Sequence, residues 1–216
     1  MKYEKKLIIL TSILILMPML VGVILWNQLP EQLPFHWNAQ GQVDQYMGKA
    51  PVVFGFPFFL LAIHLFCVFV TGSDPKNPNV VKKVNQLVLW ICPTVSLFVY
   101  VMTYSTALNR PINVNLAVGL FTGLLLIMVG NYLPKCRPNY TIGIRLPWTL
   151  DSEENWRKTH RLAGPVTMAG GVIIVLISLV NPDAMAYMIL PVVLLITLIP
   201  SVYSYLLYKR ENSTQS

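Results

Sequence analysis

The chain has 216 residues, of which 55% are hydrophobic and only 12% are charged, and its formal net charge is +7 at pH 7. Soluble domains carry about 25% charged residues, and a soluble fold of this length could not bury so much apolar surface. The composition therefore excludes an ordinary soluble protein and predicts residence in a membrane. The positive charge does not indicate direct nucleic-acid binding, which needs clustered basic residues with base-reading or stacking groups.

Six apolar segments follow one another along the chain, each close to the ~20 residues that a helix needs to cross the hydrocarbon layer. They predict an all-α integral membrane protein, a single membrane domain that forms a bundle of six transmembrane helices. The predicted spans are residues 7–26, 51–71, 84–107, 114–133, 162–180 and 185–207. The first span is too long for the apolar region of a signal peptide and has no small-residue cleavage site after it, so we predict a retained helix.

The basic residues alternate between the segments that flank these spans. Of the 16 Lys and Arg residues, all but Lys49 and Arg110 fall on one alternating set of flanks. By the positive-inside rule, both termini and the second long loop, residues 134–161, are predicted to be cytoplasmic. The first long loop, residues 27–50, is predicted to lie on the outer side.

The predicted spans contain no Lys, Arg, Asp or Glu. Ion-coupled transporters usually carry ionisable groups at their intramembrane coupling sites, so this class is disfavoured. His64 lies within the second span, and we interpret it as a neutral histidine that is hydrogen-bonded to a neighbouring helix. Gly119 and Gly123 form a pair of small residues suited to close helix contact, so the fourth helix is expected to face the bundle interior.

Enzymatic motifs are missing from the sequence, which has no Ser–His–Asp arrangement, HExxH or glycine-rich phosphate loop. We therefore expect no catalytic residues and no cofactor. Cys67 and Cys92 fall inside spans, and Cys136 falls on the predicted cytoplasmic, reducing side. These positions predict free cysteines rather than a disulfide framework.

The first long loop has the composition of a structured cap. Pro34 and the other prolines hold their neighbours extended, and Gly41 can take a positive φ in a turn. Its aromatic side chains suit the membrane interface. His36, Asp44 and Glu31 are candidate metal ligands, but their spacing gives little support. Aromatic anchoring or contact with an extracellular ligand is favoured, and no metal site is predicted.

The second long loop carries the pattern of a helix start. Asp151 fits a helix N-cap, and Glu154 three positions later completes a capping-box pattern. The pattern predicts a short helix over residues 152–161 that runs into the fifth span. Trp156 and His160 are four residues apart and share one face of that helix.

The residues before this helix predict a defined surface. Arg145 and Trp148 flank Pro147, and the residue before a proline is held extended. An arginine and a tryptophan beside two conformationally restricted positions indicate more than a tether. We expect this surface to face the cytosol.

Both long loops carry motifs that resemble the SdpI family of bacterial membrane proteins. The first is an "LPxxLPxHWNxxGxxD" pattern from Leu29 to Asp44, of the type found in an N-terminal domain of unknown function. The second is an "IGIRLPWTLxxExxWxxxHRxAG" pattern from Ile142 to Gly164. Their placement after the first and fourth spans of a six-helix frame is also similar to that family, and the resemblance covers nearly the whole chain.

The resemblance implies a multi-pass protein of the bacterial cell membrane that confers immunity to a secreted antimicrobial peptide. It also implies a signalling role, in which the protein holds a cytoplasmic winged-helix repressor at the membrane. The residues expected on the toxin-facing side are Pro34, His36, Trp37, Asn38, Gly41 and Asp44. The residues expected on the partner-facing side are Gly143, Arg145, Pro147, Trp148, Asp151, Glu154, Trp156, His160 and Arg161.

Two other functions stay open at this point. One is an envelope-homeostasis protein that binds a lipid or a peptide without protecting against a toxin. The other is a transporter that is not ion-coupled, since missing intramembrane carboxylates do not argue against a passive role. The lipid bilayer is an expected partner in all three cases.

Overall fold

The computed structural model describes residues 5–76, 82–110 and 112–213; Lys2, one of the basic residues behind the predicted orientation, lies outside them. Across this described part, six helices are long and apolar enough to cross a membrane. The predicted all-α fold with six membrane spans is thereby confirmed. A two-stranded antiparallel sheet is present as well.

The elements follow the apolar segments, with short additions in the two long loops. In chain order they are α1 (Lys5–Ile24), β1 (Gln32–Trp37), β2 (Val43–Gly48), α2 (Phe56–Gly72), α3 (Lys82–Ala107), α4 (Val114–Tyr132), α5 (Pro147–Asp151), α6 (Glu153–Val180) and α7 (Pro182–Ser213). A turn of π-helix, Pro51–Gly55, leads into α2, and a 3₁₀ turn, Leu133–Lys135, follows α4.

The chain forms two compact units. The first consists of Met1–Gly72 and Asn85–Val114, and the second of Ser73–Val84 and Asn115–Ser216. The first long loop therefore belongs to the first unit, and the second long loop belongs to the second.

Hydrogen bonds between helices satisfy polar side chains in the first unit. The Thr11 hydroxyl of α1 lies 3.0 Å from His64 Nε2 of α2, and both side chains are buried. The predicted bond from His64 to a neighbouring helix is confirmed. Tyr104 of α3 donates its hydroxyl to the Pro18 carbonyl of α1 at 2.9 Å. Since hydrocarbon offers no hydrogen-bonding partner, each bond ties its two helices together.

A buried lysine anchors the first long loop. Lys49 Nζ donates to the carbonyls of Trp26 and Leu29, each at 3.2 Å, and to the Glu31 carboxylate at 2.9 Å. It also lies 4.7 Å from the centre of the Trp26 ring. Carbonyls after the end of a helix have no intrahelical donors, so the ammonium group caps the chain leaving α1 and fixes the base of the loop.

Glycines allow α4 and α6 to approach closely in the second unit. A Cβ added at Gly123 would lie 2.6 Å from Val175 Cγ2 and 2.7 Å from the Gly171 carbonyl oxygen. Gly119 lies one turn away on the same buried strip of α4, which confirms the predicted small-residue contact. The expectation that α4 faces the interior holds for this strip only, because Leu124 is 60% exposed.

We expect Gly123→Val to destabilise the second unit by about 1–3 kcal/mol, because overpacking a close helix contact forces side chains and backbone to shift. The measurement is thermal unfolding of the purified protein in detergent. Gly72→Val is the matched control, since nothing lies within 4 Å of a Cβ built at Gly72. Equal stability of the two variants would contradict the packing described here.

Candidate functional site

A specific turn closes the hairpin of β1 and β2. The Asn38 side-chain oxygen accepts from the backbone N–H groups of Gln40 and Gln42, each at 3.0 Å. The Asn38 N–H donates to the Gln42 carbonyl at 2.9 Å, and Gly41 has a φ of 73°. Asparagine is suited to bonding its own following backbone, and glycine takes positive φ without steric cost. Two of the predicted loop residues therefore shape the turn.

A histidine–aspartate pair lies on the hairpin surface. His36 Nδ1 is 2.7 Å from Asp44 Oδ1, and the two side chains are 56% and 39% exposed. Glu31, the third candidate metal ligand, is paired with Lys49 instead. Over residues 5–76, 82–110 and 112–213, no group of three His, Cys, Asp or Glu side chains is placed to hold a metal ion.

The remaining predicted residues of the hairpin pack inward. Pro34 is buried opposite Tyr46, and Trp37 is half-buried opposite Val43. The Trp37 indole N–H is itself buried and has no hydrogen-bond acceptor in the part of the chain described. The structure thus brings all six predicted residues into one hairpin and leaves His36 and Asp44 as its exposed polar pair.

Asn139 organises the start of the second long loop. Its side-chain oxygen accepts from the backbone N–H groups of Thr141 at 2.9 Å and Ile142 at 2.6 Å. Its amide nitrogen donates to the carbonyls of Arg137 and Ile142. The side chain is fully buried, so the loop folds around it. Sequence reasoning missed this residue, although proline and asparagine are both residue types that dominate turns.

A buried carboxylate holds the same segment from a distance in sequence. Asp74 accepts from the Tyr140 N–H at 2.8 Å and from the Thr141 hydroxyl at 2.9 Å, and also from the Lys76 N–H at 2.8 Å. Three donors compensate for burying its charge. Nothing local in the sequence connects Asp74 with a segment more than sixty residues away, and the sequence analysis did not identify it.

Gly143, Trp156 and His160 form a compact cluster. The Trp156 and His160 rings stack at 4.2 Å with an angle of 20° between their planes. His160 Nε2 accepts from the Ile144 N–H at 2.9 Å, and Nδ1 lies 2.8 Å from the Trp156 carbonyl. Because a backbone N–H can only donate, these contacts assign the proton to Nδ1. The predicted shared face of Trp156 and His160 is confirmed.

Gly143 is required at its position for two reasons. Its φ is 111°, a conformation that L side chains rarely adopt, and a Cβ there would collide with His160 Nε2. The glycine therefore lets the loop backbone lie directly against the histidine ring.

Cys136 lies beneath this cluster. Its carbonyl accepts from Trp156 Nε1 at 2.8 Å, and its thiol is buried. That burial raises the pKa of the Cys136 thiol to about 11, so the group is protonated at neutral pH. The thiol therefore packs in the interior. Its reactivity reports whether the cluster above it is intact.

The predicted N-cap at Asp151 is wrong. Asp151 ends the short helix α5, and Ser152 caps α6 by accepting from the Asn155 N–H at 3.1 Å. Glu154 pairs with Lys158 at 2.7 Å. The cause is the proline at the start of α5, which begins a separate helical turn and moves the next cap one residue along the chain.

A series of hydrogen-bonded side chains, here called the polar chain, connects α5, α6 and α7. Trp148 Nε1 donates to the Ser204 hydroxyl at 2.8 Å, and that hydroxyl donates to the Asn155 side-chain oxygen at 2.7 Å. The Thr159 hydroxyl donates to the same oxygen at 3.0 Å. Ser204, Asn155 and Thr159 are fully buried. The indole of Trp148 is therefore held against α7, and its ring stacks on Tyr208 at 6.0 Å.

The predicted residues of the second long loop fall into three sets. Gly143, Trp156 and His160 form the compact cluster, in which both rings are buried, and Trp148 is held by the polar chain. The exposed residues are Arg145, Pro147, Asp151, Glu154 and Arg161. Arg145 is held in place because its guanidinium donates to the Tyr140 carbonyl at 2.8 Å. The second long loop thus presents a rigid surface supported by a buried cluster.

We expect Gly143→Ala to open the cluster, because the added methyl group collides with His160 and is strained at positive φ. The measurement is alkylation of Cys136 at pH 8 in a Cys67→Ser, Cys92→Ser background. A thiol with a pKa of about 11 is roughly 0.1% thiolate at that pH. A thiol returned to a pKa near 9.0 is roughly 10% thiolate, so the rate should rise at least tenfold.

The pH profile provides the control for this experiment. In the parent protein the alkylation rate should keep rising as the pH approaches 11, since only the thiolate reacts. Gly48→Ala serves as the matched variant, because a Cβ there meets only ordinary contacts with Pro51. A parent profile that levels off near pH 9, or a Gly143→Ala rate equal to the parent rate, would contradict the burial described.

Comparison with known proteins connects both loops to one family. Residues 135–204 match the sequence model of the SdpI/YfhL protein family, and residues 13–61 match a domain of unknown function (DUF1648). The two matched segments contain the second long loop and the hairpin respectively. No solved structure matches the chain.

A relative of known name matches nearly end to end. The chain is 28% identical to the immunity protein SdpI of Bacillus subtilis (strain 168) over 211 residues, which cover 96% of this chain and 98% of that protein. Together with the six apolar helices, the match identifies a multi-pass bacterial membrane protein. Residues 135–204 are thus similar to the SdpI/YfhL family, and nearly the whole chain is similar to the immunity protein SdpI.

Proposed function

We propose that this protein is a membrane immunity protein, which protects the cell that carries it from a secreted antimicrobial peptide. The observation that carries the proposal is the nearly full-length match to a relative whose name is immunity protein SdpI. A match over the whole length retains both long loops and all six spans. The features needed for the relative's role are therefore expected together in this chain.

The structure of the two long loops supports this proposal. Each loop contains a buried residue dedicated to its shape, Lys49 in the first and Asn139 in the second. Loops that only connect helices need no such supports, and ordered loops on a rigid scaffold commonly carry function. We infer that both loops are recognition surfaces.

We assign the hairpin to the side from which the peptide arrives. The charge distribution along the sequence favours an outer position for residues 27–50. Here His36 and Asp44 form the exposed polar pair, and Asn38 and Gly41 keep the turn in shape. In this assignment the pair contacts the peptide and the turn residues position it.

We assign the second long loop to a cytoplasmic partner, a winged-helix repressor held at the membrane. The exposed side chains Arg145, Pro147, Asp151, Glu154 and Arg161 supply its contact surface. The cluster of Gly143, Trp156 and His160 positions that surface from beneath. Arginine is enriched among residues that dominate binding energy at protein interfaces, and Arg145 is both exposed and fixed in direction.

A signalling role places a thermodynamic requirement on the protein. A ligand shifts an equilibrium between two conformations only by its differential affinity for them. Peptide contact must therefore favour one arrangement of the helices, and the second long loop must bind the repressor better in that arrangement. Protection and signalling are then separable properties of one protein.

We expect a sensitive Bacillus-type host to survive the family's peptide toxin when it carries this protein. The measurement is survival against toxin concentration in cells with and without the protein, with its membrane abundance determined in each strain. The control is the Gly123→Val variant, which should protect less in proportion to its lower abundance. Absence of protection at full abundance would overturn the proposed function. A homeostatic ligand would then be tested by lipid or peptide binding, and transport by flux in liposomes.

We expect Arg145→Ala to reduce signalling about tenfold, the effect of losing roughly 1.4 kcal/mol of binding, while protection is unchanged. Signalling is read from a reporter gene under the promoter that the repressor controls. Arg157→Ala is the matched control, because it removes an exposed arginine of the same loop that lies outside the assigned surface. Equal loss of protection and signalling at normal abundance would contradict this division.

A further inference from the structure

The register of the hairpin determines which backbone N–H and carbonyl groups have no hydrogen bond to the partner strand. The Lys49 N–H donates to the Glu31 carbonyl at 2.8 Å. Hydrogen-bonded and non-bonded pairs alternate along an antiparallel ladder, so the Leu33/Met47 pair, two positions on, is again hydrogen-bonded. The backbone groups of the residues between and beyond these pairs then point away from the partner strand.

The two edges of the hairpin differ in the backbone hydrogen-bonding groups that they expose. On β2 the outward groups belong to Tyr46 and Gly48, which lie opposite Pro34 and Gln32 on β1. Pro34 has no N–H, and the ladder shifts register directly after it. Proline and bulges are devices that block an edge against further pairing. The edge of β1 is therefore blocked, whereas β2 contains no proline or lysine.

Exposure and charge favour one kind of occupant for the β2 edge. Tyr46 is 58% exposed, and Gly48 is also exposed. The exposed carboxylates of the hairpin region are Asp44, on β2, and Glu31, whose side chain is 91% exposed. The nearby Lys49 side chain is only 7% exposed. A surface that shows carboxylates and hides its lysine attracts a cationic partner.

We propose that the free edge of β2 binds an extended segment of a cationic peptide by strand addition. The outward N–H and carbonyl groups of Tyr46 and the outward N–H of Gly48 would form main-chain hydrogen bonds with the peptide, as in other cases of β-augmentation. Asp44 attracts a Lys or Arg side chain of the incoming strand. This inference rests on the proposed function, because it states how the peptide of that function is held.

The experiment measures binding of the fluorescein-labelled synthetic peptide toxin of the family to the full protein in nanodiscs, by fluorescence anisotropy. Tyr46→Pro removes the outward N–H and should weaken binding about tenfold. Tyr46→Ala keeps the N–H and should bind within about twofold. Gln32→Pro removes an outward N–H on the opposite edge and should also bind within about twofold. Asp44→Asn should make the affinity less sensitive to salt.

The outcomes separate this inference from the proposed function. If the wild-type protein binds peptide but Tyr46→Pro binds equally well, strand addition is overturned and the immunity role stands. If Tyr46→Ala or Gln32→Pro loses as much as Tyr46→Pro, the β2 edge is likewise overturned. If the wild-type protein binds no peptide, both proposals fail together.

A second measurement covers the case in which Tyr46→Pro does not fold, as judged by size-exclusion chromatography. Peptides N-methylated at successive residues are then bound to the wild-type protein. Strand addition predicts that affinity falls at alternate positions of one segment, because only alternate N–H groups of a strand face its neighbour. Uniform affinity across the series would overturn the inference.

Discussion

The absence of water from the hydrocarbon layer is the constraint on which the rest of this structure depends. A polar group in that layer has to find its partner within the protein. Thr11 with His64, and Tyr104 with the Pro18 carbonyl, are such pairs in the first unit. In the second unit the buried hydroxyl of Ser204, which lies in the sixth predicted span, joins Trp148 and Asn155 of the second long loop to α7. Each pair restricts which helices can be neighbours, so hydrogen bonding gives the apolar spans their specificity.

The same constraint places the charged groups available for recognition in the two long loops. Because the six apolar segments predicted as spans contain no Lys, Arg, Asp or Glu, charged recognition has to be built outside them. A buried and fully engaged charged group supports each loop: Lys49 lies within the first, and Asp74, from the segment between α2 and α3, holds the second. A buried charge with several partners fixes its surroundings strongly, because removing one partner leaves the charge uncompensated. The loops are consequently rigid where recognition is proposed.

The residues of the second long loop illustrate how position in a motif differs from a role in a site. Trp156 and His160 are part of a motif that also contains Arg145 and Pro147, yet the first two are interior and the other two are exposed. Trp148 resembles a contact residue in the sequence, but its indole is committed to Ser204. Asp151 resembles a helix cap, but the helix that begins at Pro147 already ends there.

The sequence by itself determined the membrane class, the number of spans and the position of both loops. These follow from local composition, since about 20 apolar residues without charge are sufficient to specify a spanning helix. The bond from His64 and the Gly119/Gly123 contact were also predictable, because a polar or small residue in a span has few other uses. Only the tertiary structure decided that Asp74 holds Tyr140 and Thr141, that Lys49 caps the chain after α1, and that the loop edge at Tyr46 is open. Those contacts join residues far apart in the chain or depend on strand register, and no local pattern of side chains encodes either.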